Sequence, residues 1–167
     1  MKLFTLISLF LLSSIASADI SGTALIVDGD TITISGNKIR LNGIDTPEKD
    51  QTCRRAGVTW RCGYEATETL RNWTYTKEVR CVGDTRDRYG RLIANCFVDG
   101  YNVNARLVYE GLALAYRKYS KQYVPEEDKA RAAKEVCGQG SLSLLGTGAK
   151  AKDSHRSKSS LTKPLKR

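Results

Sequence analysis

The clearest hydrophobic alternation in the chain lies between Thr23 and Ile44. Ile32 and Ile34 alternate with Thr31 and Thr33, and Ile39 and Leu41 alternate with Arg40 and Asn42. A period of two places one set of side chains on a buried face and the other on an open one. Gly36-Asn37 between the two runs predicts a two-residue hairpin turn. Residues 49–61, rich in Arg, Thr and Gly, predict a loop. The period then changes to that of a helix over Tyr64 to about Tyr75, with Ala66, Leu70 and Trp73 at i, i+4 and i+7. Glu78–Gly83 and Leu92–Val98 predict two more strands. Asn102 is placed to cap a short helix carrying Val103 and Leu107, with Gly111 at its C′ position. Pro125 followed by Glu126, Glu127 and Asp128 opens a last helix, with proline at N1 and acids where the helix dipole favours them. The predicted order is β-β-β-α-β-β-α-α. About five strands and three helices in some 120 residues suit an α+β, mainly β fold: a small five-stranded Greek-key barrel of the OB type.

Composition changes this picture at the two ends. Lys2, the charge-free apolar run from Leu3 to about Ala18 and the terminal Ala16-Ser17-Ala18 have the form of a signal peptide with an A-x-A cleavage site. The run falls short of the ~20 apolar residues of a spanning helix. Residues 1–18 are therefore expected to be a cleaved leader, the mature chain to begin at Asp19, and the product to be secreted or periplasmic, with no membrane span. The formal charge is +9, but residues 150–167 carry seven Lys/Arg against Asp153 alone. The body, 19–149, has 19 Lys/Arg against 17 Asp/Glu, a net +2. The high isoelectric point belongs mostly to the tail, which argues against a protein aimed generally at anionic surfaces.

The cysteines are Cys53, Cys62, Cys81, Cys96 and Cys137, and an exported chain keeps disulfides. Cys53 and Cys62 are close enough in sequence to staple the loop between them. Cys81 and Cys96 stand symmetrically about a turn near residues 88 and 89, so an antiparallel hairpin places them side by side. Cys137 is left over. No Cys/His spacing fits a zinc site.

Three clusters carry candidate chemistry: Asp28-Gly29-Asp30-Thr31, then Arg40 leading into Asp45-Thr46-Pro47-Glu48, then Asp87-Arg88-Tyr89-Gly90-Arg91. With a turn at Gly36-Asn37, opposed positions sum to about 73. Asp30 then faces residue 43, near Asp45, and both acids reach one end of the hairpin. Two aspartates, a carbonyl such as that of Thr46 and water make a donor set for a hard divalent cation. Arg40 is on the polar face of its strand, where a guanidinium can grip phosphate. Glu48, oriented by Pro47, is a spare carboxylate able to take a proton from water. Each residue alone has an ordinary alternative as turn chemistry or surface charge.

Together they resemble the staphylococcal nuclease (thermonuclease) family. The likeness is carried by Val27-Asp28-Gly29-Asp30-Thr31, Ile39-Arg40-Leu41, Gly43-Ile44-Asp45-Thr46-Pro47-Glu48, Asp87-Arg88-Tyr89-Gly90-Arg91, and Asn104 with Gly111-Leu112-Ala113. Gln51-Thr52-Cys53 and Trp60-Arg61-Cys62-Gly63 bring it closest to disulfide-bearing secreted bacterial members. It runs from about residue 22 to 134. It implies an OB-fold with three helices and a calcium-dependent phosphodiesterase, an endonuclease acting on DNA and RNA and leaving 3′-phosphate ends. It further implies Asp30, Asp45 and the Thr46 carbonyl as Ca2+ ligands, Arg40 and Arg91 on the scissile phosphate, and Glu48 as general base. Tyr89 and Tyr116 would line a nucleotide pocket. A monomer without a stable protein partner is expected. The competing reading is a catalytically silent OB-fold module that only binds nucleic acid. Such a module is expected to lose site carboxylates or arginines, and here all five are present.

After Lys134 the resemblance stops. Reading permitted codons for residues 134–153 from the third base of each returns R-G-V-W-A-G-E-F-V-P-P-W-D-W-R-K-G-Q-R, close to the family's usual ending. This predicts a frameshift near Lys134. The expected organisation is thus a leader at 1–18, a nuclease domain at 19–137 and a basic low-complexity tail at 138–167.

Overall fold

The computed structural model describes residues 18–55 and 58–133. Strands β1 (Ala18–Gly22), β2 (Ala24–Ile26), β3 (Thr31–Ile34) and β4 (Asn37–Leu41) come first, then the short β5 (Ile44–Asp45). A small hairpin of β6 (Cys53–Arg55) and β7 (Val58–Trp60) precedes helix α1 (Cys62–Thr74). The long strands β8 (Val79–Arg86) and β9 (Leu92–Val98) follow, with β10 (Tyr101–Asn102), α2 (Val103–Tyr109), β11 (Leu114–Ala115) and α3 (Val124–Ala132) completing the order. Seven strands form one curled mixed sheet in the order β1-β8-β9-β4-β3-β2, with β10 on β9; β5 pairs with β11, and β6 with β7. Three helices on a curled, mainly β framework agree with the OB-type fold expected. The strand count exceeds five because β1 is added and because β5, β6, β7, β10 and β11 are two or three residues long, too short to show a period.

The core is what the alternation predicts. Along β9, Leu92, Ala94, Cys96 and Val98 are buried while the residues between them are half-exposed. Ile32, Ile34, Ile39 and Leu41 of the β3–β4 hairpin face the same interior, closed by Ala66 and Leu70 of α1 and by Val103, Leu107 and Val108 of α2. Asn102 caps α2 as expected, its side chain accepting from the Ala105 amide at 3.0 Å, and Gly111 takes its positive φ of 72° just past that helix. Pro125 occupies the first turn of α3. The core disulfide joins Cys81 to Cys96, directly opposed on β8 and β9.

Three local expectations are corrected. The hairpin turn is Ser35-Gly36, with φ of 48° and 80°, not Gly36-Asn37. Ile34 pairs with Asn37 and Thr31 with Arg40. A two-residue turn of this kind requires left-handed backbone at both positions, and Asn37 instead begins β4, its amide bonding back to the Ser35 and Ile34 carbonyls at 3.3 and 3.5 Å. Asp30 is therefore opposite Leu41, whose amide donates to the Asp30 carbonyl at 2.8 Å. Residues 49–61 are not all loop, since β6 and β7 pair Cys53 with Trp60, closed by the Cys53–Cys62 disulfide. Strand β1 pairs with β8 from Ala18 onward; its alternation is too short to stand out beside the apolar run before it. The expected leader apart from Ala18, Cys137 and the expected tail at 138–167 lie outside the described residues.

One long-range pairing positions the site. β4 runs parallel to β9, with Ile39 beside Leu92. Asn104 of α2, fully buried, locks that crossing. Its amide donates to the Asn42 and Ala94 carbonyls at 3.0 and 3.1 Å, and its carbonyl accepts from the Cys96 amide at 3.0 Å.

Candidate active site

Arg40 projects from β4 on the side opposite Ile39 and Leu41. Its Nη1 donates to Asp30 Oδ1 at 3.0 Å and its Nη2 to Asp45 Oδ1 at 3.2 Å. The two acids predicted to converge do so, on one guanidinium. Asp30 is the residue before β3, at the end of a turn in which its amide donates to Asp28 Oδ1 at 3.0 Å. Gly29 is required there by close approach: a Cβ would lie 2.8 Å from Thr46 Oγ1 and 3.0 Å from Thr46 Cβ. The turn therefore seats directly on Thr46, which is itself buried.

The parallel β4–β9 pairing brings the third cluster alongside. Arg91 Nη1 donates to Thr31 Oγ1 at 3.3 Å, and Thr31 Oγ1 donates to Asp30 Oδ1 at 2.9 Å. Asp87 holds the guanidinium from behind, its Oδ2 accepting from Arg91 Nε at 2.7 Å and lying 2.7 Å from Nη2. Asp87 Oδ1 accepts from the backbone amides of Tyr89 and Arg91. A continuous polar chain thus runs Asp87–Arg91–Thr31–Asp30–Arg40–Asp45. Sequence reasoning placed Asp87 in the cluster but assigned it no task. An aspartate opening a turn with glycine three positions on was the available signal.

Glu48 is exposed three residues beyond Asp45. Its amide donates to Gln51 Oε1 at 3.2 Å, and its carbonyl accepts from the Gln51 amide at 2.8 Å. Tyr89 is exposed and belongs to the Arg91 turn, with the Arg88 guanidinium 4.8 Å and that of Arg91 5.6 Å from its ring centre. Tyr116 is half-buried, two residues beyond Leu114, which pairs with Asp45. Its amide donates to the Gly43 carbonyl at 2.9 Å and its ring meets Tyr119 edge-on at 4.8 Å. The backbone of Tyr116 thus closes on the β4–β5 turn.

Burial is the largest influence on Asp30, pushing its carboxyl up to about 6, with Asp28 and Asp45 adding to it and Arg40 and the Thr31 hydroxyl opposing. Asp45 is also raised, first by burial and then by Glu48, against Arg40. One arginine does not fully offset two crowded carboxylates, and a positive charge arriving between them is favoured. The described hydrogen bonds from Arg40 and Thr31 fall on Oδ1 of these acids. Among the described residues no group of three or more His, Cys, Asp or Glu converges to hold an ion. Such a site suits a hard cation that completes its shell with carbonyls and water rather than zinc.

The sequence is similar to known proteins over this region. The family model for staphylococcal nuclease homologues matches residues 38–139, a stretch that continues past Lys134. The succinoglycan biosynthesis protein ExoI of Rhizobium meliloti is 40% identical over 102 residues, 59% of this chain and 53% of that protein. An uncharacterized endonuclease of Haemophilus influenzae is 36% identical over 114 residues, 64% of this chain and 59% of its own length. The micrococcal nuclease of Shigella flexneri is 34% identical over 120 residues, 64% of each chain. The chain thus spans between about half and two thirds of these relatives. With a matched stretch that covers more than half of the sequence and holds Arg40, Asp45, Glu48 and Arg91, the chain belongs to the staphylococcal nuclease family.

Proposed function

We propose that the protein is an exported, calcium-dependent nuclease that hydrolyses phosphodiester bonds of DNA and RNA and leaves 3′-phosphate ends. The observation that carries this reading is the Arg40 guanidinium forked between Asp30 and Asp45, with Arg91 one hydroxyl away. Carboxylates and two arginines side by side suit a phosphodiester, singly charged at rest and gaining a second charge as the attacking oxygen arrives, held with its counter-cation. The relatives' names, endonuclease and micrococcal nuclease among them, point the same way.

Asp30, Asp45 and the Thr46 carbonyl would hold the cation. Bound there, Ca2+ would add positive charge at a phosphate oxygen and order a water. The protein's own groups do the rest. Arg40 and Arg91 still have N–H groups to donate to the non-bridging oxygens, and being fixed by Asp30, Asp45 and Asp87 they need little reorganisation as charge builds on phosphorus. Glu48 takes a proton from the attacking water, the new P–O bond forms as the bond to the 5′ oxygen breaks, and that oxygen takes a proton from solvent as it leaves. Tyr89, on the Arg91 turn, offers an exposed ring to the adjoining nucleotide, and Tyr116 flanks the β4–β5 side. The two disulfides support an oxidising compartment; no described helix is long and apolar enough to cross a membrane.

The test is digestion of plasmid and RNA with Ca2+ or with chelator, with end-group analysis of fragments. Cleavage with Ca2+ alone, 3′-phosphate ends, and losses of about 10²–10³-fold in Arg40→Ala and Arg91→Ala are expected. Intact polynucleotides whatever ion is supplied, with binding retained, would instead make the protein a silent binding module.

A further inference from the structure

We infer that Gln51 and Gly63 are positioning residues that hold Glu48 in place beside the Asp30–Arg40–Asp45 cluster; this rests on the reading of Glu48 as the general base. An exposed glutamate after a proline has many rotamers, and a loop adds backbone freedom. A base that must meet one water needs its backbone held.

The structure holds it from two sides. Gln51 closes the turn twice over: its side-chain oxygen accepts from the Glu48 amide at 3.2 Å, and its own amide donates to the Glu48 carbonyl at 2.8 Å. The Gln51 carbonyl in turn accepts from the Gly63 amide at 3.3 Å, and Cys62 Sγ lies 3.5 Å from it. Cys62 is fully buried and joined to Cys53, so this anchor does not drift.

Gly63 is the other side. It lies in the first turn of α1, where glycine costs roughly 1 kcal/mol relative to alanine. What explains it is contact. A Cβ on Gly63 would lie 1.7 Å from the Glu48 carbonyl oxygen, 2.6 Å from its carbon and 3.0 Å from the Lys49 carbonyl carbon. All three are backbone atoms, so no rotamer change relieves the clash. The helix and the Glu48 turn approach most tightly at Gly63, and a larger residue there forces one to shift against the other.

The experiment measures kcat and KM at saturating Ca2+ for Gln51→Met, Gln51→Glu, Gly63→Ala, Glu48→Gln and the double variant of Gln51→Met with Glu48→Gln. Gln51→Met keeps the length but loses the acceptor for the Glu48 amide. It is expected to lower kcat roughly 10-fold with KM unchanged, while Gln51→Glu, which keeps an acceptor oxygen, recovers most of that loss. Gly63→Ala is expected to lose up to about 10²-fold, the scale of a misplacement near 1 Å. Gln51→Met is expected to have no further effect on Glu48→Gln. Wild-type kcat in Gln51→Met beside a disabled Glu48→Gln overturns the positioning role and leaves Glu48 standing. Equal losses from Gln51→Met in both backgrounds overturn it too, by placing Gln51 elsewhere. Full activity in Glu48→Gln removes the general-base reading itself. Thermal unfolding of each variant separates misplacement from loss of fold, and Gln51, only half-buried, carries the test if Gly63→Ala unfolds.

Discussion

Replacing Asp87 by asparagine frees the guanidinium of Arg91 while leaving its turn intact. The wild-type carboxylate splits its work: Oδ1 accepts from the Tyr89 and Arg91 amides at 2.9 and 3.0 Å, and Oδ2 faces Arg91 Nε and Nη2, both at 2.7 Å. An asparagine oriented to keep its oxygen on the two amides turns its NH2 toward Arg91, donor against donor. The pair is partly exposed, so its electrostatic worth is discounted to about 1 kcal/mol, a fall of roughly 3–6 °C in Tm. The effect on turnover is larger. A preorganised cation of this kind supplies about 10²–10³ in rate, and a loosened Arg91 that keeps its charge retains part of that. Asp87→Asn is therefore expected to lie roughly 10–30-fold below wild type and above Arg91→Ala. The pH dependence has a definite sign. Partial desolvation raises the Asp87 carboxyl, but hydrogen bonds from the Arg91 side chain and from the Arg91 and Tyr89 amides outweigh it and bring it below the usual value. The stabilisation is thus fully present above the unfolded value near 3.9 and is lost as pH falls through the lower folded one. Wild type and Asp87→Asn should differ in urea midpoint at pH 7 and draw together as the pH falls below the unfolded value near 3.9. Wild-type kcat in Asp87→Asn, or a stability gap that does not narrow in acid, would refute the view that this carboxylate holds Arg91.

Asn104→Leu removes one partner each from the Cys96 amide and the Ala94 and Asn42 carbonyls, and a loss of about 2–4 kcal/mol is expected by urea unfolding. Replacing Cys81 and Cys96 together by alanine opens a loop of 15-residue separation, and a shift of about 3 kcal/mol is expected from chain entropy; an unchanged denaturation midpoint would count against it. Arg40→Ala leaves Asp30 and Asp45 facing each other, so in chelator the variant should lose about 3 kcal/mol and recover part of it on adding Ca2+, read by calorimetry. The expected frameshift near Lys134 is checked by intact mass and resequencing: a product matching residues 19–167 as printed would rule it out.

Local features of this protein were legible in its sequence because they depend on neighbours a few residues apart. The alternation in β3, β4 and β9, the helical spacing of Ala66 and Leu70, the Asn102 cap and the opposed Cys81 and Cys96 all follow from that. So does the arrival of Asp30 and Asp45 at one end of a hairpin, which survived an error of one residue in the turn, because Ser35 and Gly36 had only to reverse the chain somewhere between the two runs. Tertiary structure decided what depends on groups far apart in the chain. Arg91 reaches Thr31, sixty positions away, only because β4 lies parallel to β9, and no local period encodes which strand a strand pairs with. The burial that raises Asp30, the seat of Gly29 on Thr46 and the contact of Gly63 with the Glu48 carbonyl are likewise properties of space-filling. A glycine in a sequence records freedom of the backbone; only the packed molecule supplies the neighbour that makes its missing side chain necessary.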